Sequence, residues 1–219
     1  MAQYVIHGKK TCWCGLVWIR AMEVRLREAR IIKKDLSGLI MQGGYNAGGV
    51  AASAGIHDKG GAFDFSEKLA TPAFIKIARE LGAAAWIRLE SDDRPAPGKK
   101  PWDTHVHVIL DGCPHAADGG KSQVLSYRAG KNGLTYDAAD REWRPQVFRT
   151  WSQACAVYAG RRMVVTHPKG APRRVSPNGK LTGSRVKKGA AVLVIAEKGK
   201  AFQIGSGRWV RKSKVRPIA

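Results

Sequence analysis

The feature that most limits how this chain can fold is a change of texture near Gly160. Before it, stretches of helical periodicity alternate with short apolar runs. After it, only short β-rich runs remain (Met163–Thr166, Ala191–Ala196, Ala201–Ile204 and Trp209–Val210), separated by Gly, Pro, Ser and Asn turns. Runs spaced by roughly ten residues suit a small barrel. A chain of 219 residues has room for one medium and one small domain, and the shift places them at 1–160 and 161–219.

Charge divides the chain at the same place. The net charge is +21, and residues 161–219 carry 16 Lys and Arg against the single acid Glu197. Such an excess calls for a polyanionic partner: nucleic acid, anionic membrane or anionic cell wall. An apolar fraction of 44% excludes a wholly disordered chain. No run approaches the roughly eighteen apolar residues of a membrane span. The first ten residues lack the basic-then-apolar order of a secretory signal, so a protein made and held in the cytosol is expected. Four cysteines are too few for a disulfide scaffold.

In the first domain a polar lead precedes a helix whose stripe is Trp18, Met22, Leu26 and Ala29. Leu39–Met41 reads as a buried strand, and residues 43–61 as a glycine-rich loop without a nucleotide-binding pattern. Strands are expected at Ala62–Phe65, Ala84–Leu89 and Thr104–Leu110. Helices are expected from Thr71-Pro72 to Leu81, over Gly119–Arg128 and over Gln146–Tyr158, with a loop over Ser91–Pro101.

Chemistry concentrates in a few residues. His57 lies in the glycine-rich loop and Asp64 on the strand after it. His105 and His107 stand two apart on a strand, which puts both imidazoles on one face and Val106 and Val108 on the other. A face with two imidazoles needs solvent or a metal. Imidazole and carboxylate suit zinc, whose catalytic sites keep three protein ligands and an open position. Strand geometry alone would also let His105 ligate, although four protein ligands would close the site. Cys12-x-Cys14 with Cys113-x-His115 is a rival Cys3His set. Its one-residue spacing is tighter than the usual two to four, so thiols packed in the core are expected instead. Cys155 reads as inert, and His7 and His167 as surface histidines.

The stretch Tyr45 to Asp64 resembles the signature of the D-alanyl-D-alanine carboxypeptidase-type zinc peptidases, a group that includes vancomycin-resistance D,D-dipeptidases and many phage endolysins. His57, Asp64 and His105-Val106-His107 match its histidine, aspartate and His-x-His pattern. Gly112-Cys113-Pro114-His115 and Tyr127–Gly130 look like actinobacteriophage lysins, and the likeness covers roughly residues 10–140. The resemblance implies zinc held by His57, Asp64 and His107, with His105 positioning the attacking water or stabilising the oxyanion. Relatives with an acid three residues before the ligand histidine use it as general base. Here Thr104 holds that position and Asp103 stands one residue earlier, so Asp103 and His105 both remain candidates. Relatives also place an arginine just after the motif's tyrosine to hold a substrate carboxylate. Asn46 stands there instead, which favours an endopeptidase.

Residues 163–219 resemble a bacterial SH3-type wall-binding domain, through Gly183–Val192 and Gly207–Val215, with Trp209 expected in its core. The expected fold is therefore α+β: a small central antiparallel sheet flanked by helices, then a small all-β SH3-like barrel. The expected function is that of a monomeric phage endolysin, a zinc peptidase that cuts an amide bond in peptidoglycan stem peptides or cross-links. Its cationic domain would bind an anionic wall polymer, and the protein would wait in the host cytoplasm until lysis and then act on the wall. The alternatives are a cytosolic D,D-dipeptidase or carboxypeptidase on free peptides, and a non-enzymatic nucleic-acid-binding protein. The absence of a stacking-aromatic motif speaks against the last.

Overall fold

The computed structural model describes residues 3–47, 55–93, 98, 100–134, 136, 138–158, 161–165, 169, 171–174, 176, 178–188, 191–194, 196–198, 200–205 and 208–217. Residues 48–54 of the glycine-rich loop lie outside these, as do Pro95, Pro97, Gly160, Thr166, His167, Gly189, Ala190, Ile195 and Gly207. The fold is α+β, with small antiparallel sheets and four helices among the described residues. The chain forms two compact units, Met1–Ala154 and Cys155–Ala219. No described helix is long and apolar enough to cross a membrane.

The polar lead of the first unit is a hairpin, β1 (Tyr4–Ile6) against β2 (Lys9–Thr11). Its turn residues His7 and Gly8 have φ of 50° and 77°, the paired positive angles that match the twist of a two-residue hairpin. Strands of three residues are too short to leave a periodic signal. Next comes α1 (Trp13–Glu28), with Trp18, Met22 and Leu26 buried and Ala29 just past its end. β3 (Ile40–Gln42) is an edge strand, not a buried one: Ile40 is covered and Met41 is 49% exposed.

β4 (Ala62–Ser66), α2 (Pro72–Glu80), β5 (Ala83–Arg88), β6 (His105–Leu110) and α3 (Asp118–Arg128) follow. Thr71 caps α2 by accepting from the Phe74 amide at 3.2 Å, and Pro72 takes the first helical position. α4 (Trp151–Tyr158) starts later than its apolar pattern suggests. Thr150 caps it, accepting from Gln153 N at 3.4 Å and donating its own N–H to Gln153 Oε1 at 2.9 Å.

The sheet runs β3-β4-β6-β5, antiparallel throughout. Alternation gives it two different faces. Phe63 and Phe65 of β4 and Val106 and Val108 of β6 are fully buried on one face. Trp18 of α1 stacks on Phe63, and Phe74 of α2 packs on Phe65 at 5.1 Å between ring centroids. Each such side chain contributes about 1.5–3 kcal/mol of burial. The Trp18 indole donates to Leu81 O at 3.2 Å, so its polar atom is satisfied inside the core.

The other face is organised in rungs. Ala62, Ile109 and Ala84 form one, Asp64, His107 and Trp86 the next, and Ser66, His105 and Arg88 the third. Val124 and Tyr127 of α3 cover the first rung. Asp64 and His107 of the second rung and His105 and Arg88 of the third line a cleft.

In the second unit the described strands are β7 (Arg161–Val165), β8 (Ala171–Arg174), β9 (Leu181–Val186), β10 (Ala191–Val194), β11 (Ala196–Lys198), β12 (Ala201–Gly205), β13 (Arg208–Arg211) and β14 (Val215–Pro217). They form two sheets, β10-β7-β14 and β11-β12-β13-β8-β9, and the pairings among the described residues leave both open. β9 has no apolar pattern to mark it, because five of its six residues are exposed. Trp209 is half-buried on β13, beside fully buried Val210.

Candidate metal centre and cleft

β4 and β6 are direct neighbours, and their register sets Asp64 opposite His107. The loop before β4 brings in His57. Two backbone bonds hold that loop, from Tyr45 N to Lys59 O and from Asn46 N to His57 O, each 2.9 Å. The result is a buried trio, His57, Asp64 and His107, whose ligand atoms lie within 4.8 Å of one another.

The hydrogen bonds around the trio fix which atoms face inward. Gly43 O lies 3.0 Å from His57 Nδ1. A carbonyl only accepts, so Nδ1 carries the proton and a neutral His57 has its lone pair on Nε2. Among the described residues that buried Nε2 has no hydrogen-bond partner, and it lies 3.4 Å from Asp64 Oδ2. Tetrahedral zinc, with ligand distances of about 2.0 Å, separates its ligand atoms by about 3.3 Å.

His107 Nδ1 lies 2.7 Å from Asp64 Oδ1, and its Nε2 meets Gln123 Oε1 at 2.8 Å. A carboxylate only accepts, so in the metal-free protein the ring proton sits on Nδ1, between His107 and Asp64. That proton is replaceable by a metal. An orphaned imidazole nitrogen, a carboxylate and a second imidazole form a donor set that fits zinc.

Electrostatics agree with the geometry. Burial alone would raise the Asp64 pKa, but His107 and His57 outweigh it and hold the carboxyl well below its usual range. Burial lowers His57, yet the Asp64 carboxylate and the Gly43 carbonyl raise it by more, leaving it above 6.5. Burial dominates at His107 and leaves it below 6.5, with Asp64 opposing.

A pH dependence follows from these directions. A proton must leave His57 Nε2 before a metal can bind, so protons compete at this atom already above pH 6.5. Zinc affinity should weaken by about one log unit per pH unit just below the His57 pKa, and by about two below that of His107. Competition titration with a chelator across the acid range checks this. A pH-independent affinity would remove His57 from the ligand set.

His105 stands on the next rung, with Nε2 4.0 Å from Asp64 Oδ1. Its Nδ1 donates to Asp103 O at 2.7 Å, leaving Nε2 with the lone pair. Trp102 meets the ring edge-on. Asp103 thus approaches His105 through its backbone, while its carboxylate pairs with Lys100 at 3.2 Å and is 77% exposed.

The cleft, about 590 Å³, is lined by these residues together with Met41, Gln42, Ile56, Trp102, Leu134 and Tyr136. Arg88 also lines it, a residue that sequence reasoning passed over. It is buried, lies over the Trp86 ring at 4.8 Å, and donates from Nη1 to Asn132 O at 2.6 Å. Its Nη2 is buried and has no hydrogen-bond partner among the described residues. Burial lowers its pKa to about 10, so it stays charged at neutral pH. The signal was alternation with Trp86 on β5.

The cysteines do not pack separately. Cys12, Cys14, Cys113 and His115 converge within 4.8 Å, the set that the tight spacing had argued against. Cys155 is buried apart from them, which pushes its thiol up to about 12. His7 is not an ordinary surface residue: its Nε2 lies 2.5 Å from Glu23 Oε1, and Glu23 is buried. No known protein family, curated protein or solved structure matches the chain.

Proposed function

We propose that the protein is a zinc-dependent peptidase of the endolysin type, cutting an amide bond in peptidoglycan stem peptides or cross-links. The observation that carries this reading is His57 Nε2, without a hydrogen-bond partner among the described residues and buried beside Asp64 and His107, which line a cleft with it. Zinc held there by His57, Asp64 and His107 would supply Lewis acidity, polarising the scissile carbonyl and acidifying a water.

The chain's own groups supply the rest. His105 Nε2, with its lone pair fixed by the bond to Asp103 O, accepts the proton of the attacking water and returns it to the leaving amine. Asp103 acts through its carbonyl, since its carboxylate is turned to Lys100. Gln123 and Trp86 hold the His107 ring, the first by a hydrogen bond and the second by stacking.

Arg88 places a fixed positive charge in the cleft floor, on the rung of His105. Stem peptides carry carboxylates, and Arg88 would face one of them. Replacing Arg88 by methionine should raise KM about tenfold or more with a smaller change in kcat, because the interaction binds substrate instead of moving protons. Steady-state kinetics on synthetic stem peptides check this, and an unchanged KM would remove the role. Arg88 also keeps a second reading alive, a carboxypeptidase that holds a terminal carboxylate. Release of free D-alanine alone would select it.

The second unit supports targeting to a polyanion. Lys180, Arg185, Lys187, Lys188, Lys200 and Arg211 are all exposed, and attraction built from such charges is screened over about 8–10 Å at moderate salt. Binding to isolated cell walls should therefore fall steadily as salt rises. The proposal as a whole is tested by incubating stem peptides with the protein, with and without a chelator. Cleavage that stops on chelation and returns with zinc is expected. Tight, salt-sensitive binding to DNA without cleavage would instead favour the nucleic-acid reading.

A further inference from the structure

We infer that Cys12, Cys14, Cys113 and His115 bind a second zinc, whose role is structural. The inference stands whatever the His57 centre does. Cys12 and Cys14 flank the start of α1, and Cys113 and His115 follow β6, so the two halves lie 101 residues apart in the chain.

The spacings between them are those of a metal site. Cys12 Sγ and Cys113 Sγ are 3.7 Å apart, and Cys14 Sγ lies 3.5 Å from His115 Nδ1. Tetrahedral zinc with Zn–S of about 2.3 Å and Zn–N of about 2.0 Å would set these pairs about 3.75 Å and about 3.5 Å apart. A disulfide would need about 2.05 Å, and all three cysteines are free. Four protein ligands also close the coordination shell, which is the mark of a structural site.

The surroundings are shaped to the cluster. A Cβ on Gly60 would come within 2.8 Å of Cys12 Sγ, and one on Gly61 within 2.8 Å of Cys113 Sγ. The backbone can pass this close to the sulfurs only because both residues are glycine, and Gly61 also has φ of +79°. Gly15 N, in the first turn of α1, donates to Cys12 Sγ at 3.4 Å. A helix N-terminus favours the thiolate form that zinc requires.

The position explains what such a metal would do. It would tie the start of α1 to the segment after β6, across Gly60 and Gly61. That glycine pair links His57 to Asp64, so the second zinc would hold the loop that delivers His57.

Cobalt substitution tests the inference with the metal alone. Chelator-stripped full-length protein is reloaded with Co2+, beside the His57→Ala variant in which the other centre is broken. His57→Ala should still take up one cobalt per chain and show intense thiolate-to-cobalt charge-transfer absorption. Its melting temperature should fall again on chelation. Cys113→Ser removes a buried thiol from the core and tests folding together with metal binding, so His115→Cys serves as the second variant. It exchanges a nitrogen for a fourth sulfur and should keep the metal with a stronger charge-transfer band. Loss of all charge-transfer absorption in His57→Ala would overturn the site, as would an unchanged band in His115→Cys or a Cys12–Cys113 disulfide in the purified protein.

Discussion

Replacing His57 by alanine is expected to empty the proposed zinc centre at His57, Asp64 and His107 and to cut the proposed peptidoglycan cleavage by more than about 100-fold. Loss of an outer partner that merely orients a ligand costs about 10–100-fold, and His57 is assigned as a ligand itself. The comparison lies within the same site. Gln123 is hydrogen-bonded to the ring of His107 at 2.8 Å, so Gln123→Ala should fall inside that range and retain zinc more weakly. Asp64→Asn should resemble His57→Ala, because it removes the only carboxylate between two imidazoles. Zinc content by mass spectrometry and cleavage rates on one substrate give the order. Gln123→Ala as damaging as His57→Ala would mean that the trio does not ligate.

The second large effect is on stability. The Arg79 side chain is wholly buried. It donates to Ala85 O from Nε at 3.0 Å and from Nη2 at 2.7 Å, and to Trp143 O from Nη1 at 2.5 Å. Nη2 also pairs with Asp140, equally buried, at 2.9 Å, and the guanidinium lies over the Tyr127 ring. Breaking a buried pair from one side costs about 3–5 kcal/mol, mostly through the charge left behind. Arg144 still reaches Asp140 at 3.1 Å, so Arg79→Met should fall at the low end, about 3 kcal/mol. For a chain of this size that lowers Tm by about 6–12 °C. Adding Asp140→Asn should cost less than it does in the unaltered protein, since one of its two arginine partners is already gone. Thermal melts of both single variants and the double variant check this, and additive losses would show that the pair is not coupled.

These two regions meet at Trp86. Arg79 and Arg144 lie against Tyr127, Tyr127 packs edge-on against Trp86, and Trp86 stacks on His107 at 6.2 Å. The buried ion pair therefore backs the wall that holds a proposed ligand. Its loss should also weaken zinc binding, by less than the loss of Gln123.

Parts of the site were legible in the sequence because they depend on local periodicity. The face shared by His105 and His107 follows from the two-residue repeat of a strand, and the burial of Val106 and Val108 from the same rule. The cap and proline at Thr71-Pro72 mark α2 within a residue. Strand pairing is not local. That Asp64 faces His107 across β4 and β6, and that Arg88 joins the rung of His105, depends on register between strands far apart in the chain. Within the run Ala84–Leu89 nothing local marks Arg88 as a cleft residue. The cysteine cluster was obscured for a related reason: each half has an unusual spacing, and only the folded chain brings the halves together. Asp103 was singled out for its carboxylate, whereas the structure brings its carbonyl to His105.

The most direct test of the central claim is a mass measurement of what zinc-loaded protein releases from isolated peptidoglycan, run beside zinc-loaded His57→Ala. Soluble fragments with new amino termini within the stem peptide or cross-link, from the unaltered protein alone, are the predicted result. Equal release by His57→Ala, or no release from several wall chemotypes by protein with zinc bound, would contradict it.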